Sequence, residues 1–394
     1  MNIVRNTKTL PTGSPLAPHP SNRLTYIDNI RWVMIILVVM MHIKVTYGME
    51  GSWYYVEKSR IDLISQVIFG MYGSWVQAFF MGFLFLIAGY FVPSSYDKKG
   101  VSGFLKGRLI RLGIPTLIFM LVLNPLTMLL IAVFSHQSVN VPLAYLGYVT
   151  SFAFLNGSGP LWFAFALLIF SAVYALVRRF GSSTSTKRPV EITNQNVWAV
   201  ILIIAVITFW VRIVQPIGTD FLNMQLCFFT QYIILFILGI LAYRYHWLEN
   251  LPTTFAKHWF KIAVFIGIPF WFAMFFAGGV LTQGAQRFMG GFYWQSAVYA
   301  FWESFFCVSV CLGLLGLFRE RFNRKRLLRS FLSDNAFGVY VFHTPILVLI
   351  SLSLSEFHIH PLVKFLVVSL ITLPICFGFS HLIRRIPVFK KIFS

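Results

Sequence analysis

"RWVMIILVVMMHIKVTYG", residues 31–48, is an apolar run of helical length with Arg31 at its start and His42 well inside it. A transmembrane helix needs about 20 mainly apolar residues to cross about 30 Å of hydrocarbon, and this run meets that requirement. An arginine at the edge of such a run is ordinary because its long side chain reaches the interface. An ionisable group inside the run is costly and is usually functional. His42 is therefore the first candidate functional residue.

Similar apolar runs recur along the whole chain. The 394 residues are 58% hydrophobic and 11% charged, whereas a soluble domain carries about a quarter charged residues. The mean hydropathy is +0.75. The sequence therefore predicts an all-α integral membrane protein with about ten transmembrane helices. The predicted spans are residues 29–48, 72–92, 113–134, 160–177, 197–214, 225–243, 260–278, 295–317, 335–353 and 362–383.

The distribution of basic residues predicts how the spans are oriented across the membrane. The formal net charge is +20, but cytoplasmic loops of membrane proteins collect Lys and Arg, so the excess indicates topology and not a nucleic-acid partner. With ten spans, both termini are predicted to be cytoplasmic. Six of the 32 Lys and Arg then lie on the opposite side: Lys44, Lys58, Arg60, Arg212, Arg287 and Lys364.

The chain is predicted to form one membrane-embedded unit. Residues 1–26 are rich in Pro, Ser, Thr and Asn and are predicted to be a disordered cytoplasmic tail. Residues 27–386 form the ten-helix domain, and 387–394 form a short basic cytoplasmic tail. All four cysteines fall in apolar segments and no cluster of metal ligands is present, so neither a disulfide nor a metal site is predicted.

Three ionisable residues are predicted to lie deep inside spans. At a rise of about 1.5 Å per residue, His42 and Glu303 each lie about 12 Å below the external edge, so the two lie at one level and could face each other. His343 is expected lower, about 12 Å above the cytoplasmic edge. Each has a structural alternative: a histidine can hydrogen-bond across helices as packing glue, and Glu303 can pair with a neighbour.

Arg31 and His42 are eleven positions apart, which returns to within about 20° of the same helix face. This stripe presents a cation at the cytoplasmic mouth and an imidazole about 16–17 Å further along the axis. The arrangement suits a long anionic ligand from the cytosol. The alternative for Arg31 is a topology anchor.

Four motifs in order resemble the acyltransferase family 3 of membrane proteins, which includes O-antigen, peptidoglycan and glucan O-acyltransferases. They are "YIDNIRWVMIILVVMMH", with the basic-x10-His spacing of Arg31 and His42; "FFMGFLFLIAGYF" followed by "FLKGRLIRLGIP"; "GPLWFAFALL"; and "NAFGVYVFHTPIL". The resemblance covers nearly the whole chain after the tail.

The resemblance implies transfer of an acyl group, usually acetyl from cytosolic acetyl-CoA, to a hydroxyl on the extracytoplasmic side. It makes His42 the catalytic residue, as general base or transient acyl carrier, with Arg31 as its partner; Glu303 is added to the catalytic set because of its depth. The residues assigned to binding of the acyl-CoA co-substrate are Arg108, Arg111, Arg31, His343 and Tyr340. For Arg108 and Arg111, positive-inside anchoring is the alternative.

The acceptor is expected to be a carbohydrate, a lipid-linked glycan or a small metabolite. Trp53 and Tyr54 in the first external loop and Trp162 are assigned to acceptor binding; an interfacial aromatic belt is the alternative. The expected location is a bacterial cytoplasmic membrane, and the oligomeric state is open, with a homodimer among the candidates.

A carrier or flippase for a glycan or lipid is the alternative from another functional class. Ten helices with intramembrane charges would also suit transport. Transporters commonly contain internal repeats, whereas the pair Arg31 and His42 has no counterpart in the second half of this chain.

Overall fold

The architecture is described by a computed structural model over residues 24–181, 190–324 and 326–393. Within these ranges the chain forms helices joined by short loops and contains no β-strand. The α-helices are α1 (Thr25–Gly48), α2 (Leu63–Arg108), α3 (Ile114–Ile118), α4 (Asn124–Phe134), α5 (Val141–Thr150), α6 (Trp162–Phe180), α7 (Asn194–Val214), α8 (Phe229–Arg244), α9 (Trp247–Asn250), α10 (Thr253–Ile262), α11 (Ile268–Ala277), α12 (Val280–Gln283), α13 (Gln286–Met289), α14 (Trp294–Arg321), α15 (Leu327–Ser353), α16 (Pro361–Ile383) and α17 (Pro387–Ile392).

The prediction of an all-α integral membrane protein is confirmed. The described part of the chain has nine helical runs that are long and apolar enough to span a membrane. The second run, Leu63–Phe134, has 72 residues and would measure about 108 Å if straight, more than three times the hydrocarbon thickness. It is interrupted at Gly100, which has φ 65° and ψ 178°, a conformation open to glycine. The run therefore contains the two spans predicted at 72–92 and 113–134.

Prolines shape two of the long helical runs. Each of three π-helical turns, Leu109–Gly113, Phe119–Leu123 and Ala263–Gly267, lies just before a helix start that contains a proline, namely Pro115, Pro125 and Pro269. A proline has no N–H to donate and its ring clashes with the carbonyl four residues earlier. A wider turn accommodates both effects without ending the helix.

At both ends of the described chain, helical structure begins or continues inside the segments predicted to be tails. Residues 1–23 of the N-terminal tail lie outside the described residues, and α1 begins at Thr25, before the predicted start of the first span. At the other end, the predicted tail 387–394 includes the short helix α17, and Phe393 beyond it is buried. The cytoplasmic side of both ends stays a prediction of the charge pattern.

Helix α1 lies inside the bundle and packs against α2, α14, α15 and α16. Its buried face is apolar, from Tyr26 and Ile30 to Val39 and Ile43. The most enclosed helices of the described chain are α14 and α15, whereas α10 and α11 lie at the periphery. Because α1 and α15 are neighbours, polar side chains that project inward from them can meet.

The connection between α4 and α6 is folded alongside the helices. The Tyr145 hydroxyl donates to the Leu121 carbonyl at 3.1 Å, and the Tyr148 hydroxyl donates to the Met120 carbonyl at 2.7 Å. Met120 is 14 residues before the end of α4, about 21 Å along the helix. The segment 141–161 therefore folds back along the outside of the bundle as a re-entrant segment. Helix α5 is exposed, whereas the irregular backbone at Ser158 is buried in protein, where such backbone is tolerated.

Candidate active site

The two intramembrane histidines form a pair. His42 on α1 and His343 on α15 approach each other with 3.1 Å between His42 Nδ1 and His343 Nε2, and their ring centroids are 5.1 Å apart. The expectation that His343 lies well below His42 is therefore wrong. Helix α15 begins at Leu327, eight residues before the predicted start, so a depth counted from residue 335 places His343 too near the cytoplasm.

The backbone of α15 determines which nitrogen of His343 carries a proton. His343 Nδ1 lies 2.8 Å from the Tyr340 carbonyl oxygen, which can only accept a hydrogen bond. Nδ1 is therefore the donor, and in a neutral ring Nε2 is an acceptor. His42 Nδ1–H then donates to His343 Nε2, which leaves the lone pair of His42 on Nε2. This is the tautomer that a general base requires.

Trp53 from the loop after α1 covers the pair. Its ring stacks on His42 with 4.0 Å between centroids and 25° between planes. His343 is completely buried, whereas His42 is half-buried. The Trp53 indole N–H is buried and has no hydrogen-bond partner within the described ranges. The site thus combines a partly accessible imidazole with an unpaired donor beside it. The assignment of Trp53 to acceptor binding stays a prediction.

The re-entrant segment forms a further wall of the site. The Tyr340 hydroxyl donates to the Pro160 carbonyl, so Tyr340 links α15 to this segment. The Tyr54 hydroxyl donates to Asn124 Oδ1. A Cβ at Gly159, which has φ +47°, would lie 2.8 Å from the Tyr54 hydroxyl, so this close approach requires glycine.

Tyr340 lies in the protein interior, and Trp162 is half-buried. The Tyr340 phenol is buried and its ring is 6.3 Å from that of Phe163. Trp162 stacks on Tyr232 at 5.7 Å and packs beside Phe85. These contacts hold α6 and the re-entrant segment in place, whereas the assignments of Tyr340 to donor binding and of Trp162 to acceptor binding stay predictions.

Glu303 belongs to a second polar cluster. Its Oε2 accepts from Arg212 Nη2 at 2.6 Å, and both side chains are buried. The guanidinium lies 5.2 Å from the centroid of the Phe228 ring and 5.5 Å from that of Tyr299. A structural pair is the alternative that the sequence indicates for Glu303, but Arg212 was not identified as the partner. The signal was available, because Arg212 lies inside the predicted span 197–214.

Three predicted donor-binding cations gather at the other end of α1. Arg108 lies within electrostatic range of Arg111 and Arg31, and its guanidinium is 5.1 Å from the Phe104 ring centroid. Arg31 has Asp28 at 3.7 Å and its side chain is half exposed. Converging like charges are unfavourable without an anion. The cluster therefore fits the phosphates of a nucleotide-containing ligand.

The whole domain matches a known family. The family model described as "Acyltransferase domain" matches residues 24–381, which include both histidines and all three arginines. No curated protein and no solved structure matches the chain. This multi-pass membrane protein therefore belongs to acyltransferase family 3 and is an acyltransferase.

Proposed function

We propose that the protein transfers an acyl group, acetyl in the first instance, from cytosolic acyl-CoA to a hydroxyl on the extracytoplasmic side. The observation that carries this proposal is the hydrogen-bonded pair of His42 and His343, which leaves Nε2 of a half-buried imidazole unused. A neutral imidazole in a site of low dielectric can accept the proton of an attacking hydroxyl.

The proposed reaction uses the free Nε2 of His42. His42 Nε2 takes the hydroxyl proton while the acceptor oxygen forms a bond to the thioester carbonyl carbon. The C–S bond then breaks, and the CoA sulfur leaves with the electron pair and receives the proton from His42. The Trp53 N–H, which lies in the ring stacked on His42, donates to the carbonyl oxygen as negative charge develops there. A transient acyl group on His42 Nε2 would use the same free nitrogen.

The donor reaches His42 from the cytoplasmic side. Arg31, Arg108 and Arg111 bind the phosphate groups of CoA, for which guanidinium donors are well suited. From Arg31 to His42 the helix rises about 16–17 Å. The acyl end of a long, thin donor is therefore presented to the imidazole while its phosphates stay in the aqueous mouth.

The acceptor approaches from the external side, past the loop that carries Trp53 and Tyr54. A carbohydrate, a lipid-linked glycan or a small metabolite of the cell envelope would supply the hydroxyl. In this proposal the protein acts in a bacterial cytoplasmic membrane. A homodimer is compatible with the mechanism, because the described site is assembled from one chain.

The test is transfer of labelled acetyl from acetyl-CoA in sealed vesicles that contain the protein and extracted envelope glycans. Wild type is expected to transfer label, and His42→Ala to lose about 10³-fold or more of the rate. His258→Ala removes an exposed histidine and serves as the matched control. Transfer by His42→Ala at the wild-type rate would refute the mechanism. Absence of transfer by wild type to any acceptor would favour the carrier alternative.

A further inference from the structure

A cavity opens on the external face next to the candidate active site. Its volume is about 460 Å³, within the usual range of ligand pockets, about 300–1,000 Å³. Two loops form it, the one between α1 and α2 and the one between α15 and α16. Among its lining side chains are Tyr55, Lys58, Arg60, His358 and His360.

The cations of this cavity stand out among the basic residues on the external side. Positive charge is depleted on the external side, so each Lys or Arg there is expected to have a structural partner or a ligand. Three of the six have a carboxylate partner: Lys44 with Glu50, Lys364 with Glu57, and Arg212 with Glu303.

Arg287 lies 5.7 Å from the Tyr293 ring centroid. Lys58 and Arg60 have no ion pair or hydrogen bond within residues 24–181, 190–324 and 326–393, and both line this one cavity. Two unpaired cations therefore share a concave site on the side where cations are scarce.

The carboxylates around the cavity are largely engaged. Glu57, which also lines the cavity, accepts from Lys364 Nζ at 2.6 Å. Asp62 accepts from Ser65 and lies 2.9 Å from His360 Nε2. Glu356 is close enough for its charge to act on Tyr55: burial is the largest cause that raises the pKa of this phenol, and the charges of Glu57 and Glu356 add to it. Glu356 does not line the cavity, so Lys58 and Arg60 are the free charges of its wall.

The same loop connects the cavity to the histidine pair. Tyr55 lines the cavity, and Trp53, two residues earlier, stacks on His42. A molecule held in the cavity therefore lies against the segment that covers His42.

We propose that this cavity binds a phosphate or carboxylate group of the acceptor, so that the substrate class is an anionic hydroxyl compound. Lys58 and Arg60 bind the anion, and the hydroxyl extends past Trp53 toward His42. The identification of the bound anion as the acceptor rests on the proposed acyl transfer, whereas anion binding itself does not require that reaction.

Binding of simple probes tests this proposal. The protein is purified in phosphatidylcholine nanodiscs, and glucose 6-phosphate, glucuronate and glucose are titrated by calorimetry. Glucose 6-phosphate and glucuronate are expected to bind at least about tenfold more tightly than glucose, and added salt should weaken both. The double variant K58Q/R60Q should lose this preference. Arg287→Gln, an external cation outside the cavity, is the matched control.

The outcomes separate the inference from the proposed function. Equal binding of glucose and its anionic analogues, or an unchanged preference in K58Q/R60Q, would refute the anion site even if the enzyme transfers acetyl. His42→Ala should bind the anionic probes like wild type, so a failure of acyl transfer leaves the binding result standing. A second titration in nanodiscs with phosphatidylglycerol identifies the source of the anion. Displacement of glucose 6-phosphate there would overturn the acceptor assignment and make the ligand a lipid head group.

Discussion

Two polar clusters lie inside the helix bundle, and they differ in what they leave unused. Arg212 and Glu303 carry opposite charges, are both buried and meet at 2.6 Å between aromatic rings. His42 and His343 are two imidazoles joined by one hydrogen bond, and His42 is partly accessible. The first cluster balances its own charges, although Arg212 Nε and Nη1 and Glu303 Oε1 are buried without a hydrogen-bond partner among the described residues. The second cluster carries no charge pair and keeps a basic nitrogen available.

The cost of burial alone does not identify a catalytic residue. Depth in the membrane made His42 and Glu303 equally suspect, because both are expensive in hydrocarbon. What distinguishes them is the chemistry that remains after the local contacts are made. An ion pair inside the bundle neutralises its own charges, whereas a histidine oriented by a second histidine is prepared to accept a proton.

The largest effect is expected from removing the residue that orients His42. His343→Ala should lower kcat by roughly 10³–10⁴-fold, because His42 is then free to carry its proton on Nε2. The KM for acetyl-CoA should stay near the wild-type value, which separates this positioning role from the donor-binding role predicted from the sequence. The measurement is steady-state acetyl transfer at varied acetyl-CoA.

A conservative variant makes this test specific. His343→Gln offers an amide oxygen near the position of Nε2 and should restore much of the rate. His343→Leu has a similar size but no acceptor and should not. Equal rates in the Gln and Leu variants would show that His343 acts through packing alone. A raised KM for acetyl-CoA would support donor binding.

The second prediction concerns the buried pair of Arg212 and Glu303. Breaking a buried ion pair by removing one partner costs about 3–5 kcal/mol, because the other charge is left alone. Glu303→Gln should therefore lower the melting temperature markedly, whereas R212M/E303L, which removes both charges, should be near wild type. Thermal unfolding in detergent measures the stability, and acetyl transfer per folded molecule measures the function.

This experiment also decides the role of Glu303. If Glu303 is catalytic, as its depth suggested, R212M/E303L will fold and be inactive. If the pair is structural, the folded double variant will keep most of its transfer rate. The comparison between the two clusters would fail if the double variant were stable and lacked activity.

Much of the fold was predictable because it depends on local pattern. Apolar runs of about 20 residues identify spans, and the uneven distribution of Lys and Arg supports their count. The 72-residue run Leu63–Phe134 was resolved into two spans because its charged middle cannot lie in hydrocarbon. Helix ends were less predictable: α15 begins eight residues before its predicted start, in a stretch where Arg329, Ser330 and Asp334 interrupt the apolar run but the chain is still helical.

The site was predictable residue by residue but not as an arrangement. His42 was identified from its burial cost and its spacing from Arg31. Its contact with His343 was not, because it depends on how α1 and α15 are tilted and packed. Arg212 could be recognised as a charge inside a predicted span, but its pairing with Glu303 joins residues 91 positions apart and depends on how α7 and α14 pack.

The third prediction concerns the unpaired indole N–H of Trp53 beside the histidine pair. Trp53→Phe keeps an aromatic ring that can stack on His42 but removes the unused N–H. If this N–H stabilises the developing oxyanion, kcat should fall by about 10²-fold with little change in KM. Trp75→Phe, which removes another buried indole N–H without a partner among the described residues, is the control. A Trp53→Phe enzyme with wild-type kcat would limit Trp53 to stacking.

The smallest effect, a small change in melting temperature, is expected at an exposed polar cluster around Asp62. The Ser65 hydroxyl and backbone N–H donate to Asp62 at the start of α2, and these bonds, with His360, hold the pKa of Asp62 well below its usual range. A lowered pKa in the folded state stabilises the protein above the unfolded pKa, about 3.9, and this contribution is lost as the pH falls toward the folded value. Asp62→Asn keeps a capping side chain without the charge.

Wild type should therefore melt slightly higher than Asp62→Asn at pH 7, by about 1–2 °C, and the difference should shrink below about pH 4. Asp220→Asn, which changes an exposed carboxylate in a loop, is the control and should show no such trend. A melting difference that stays constant between about pH 3 and pH 7 would show that the charge of Asp62 is not its source. A melting difference of about 1–2 °C at this surface cluster would contrast with the loss of about a thousandfold in kcat at the histidine pair. The contrast would show that a polar cluster contributes to catalysis only when one of its groups stays available to the substrate.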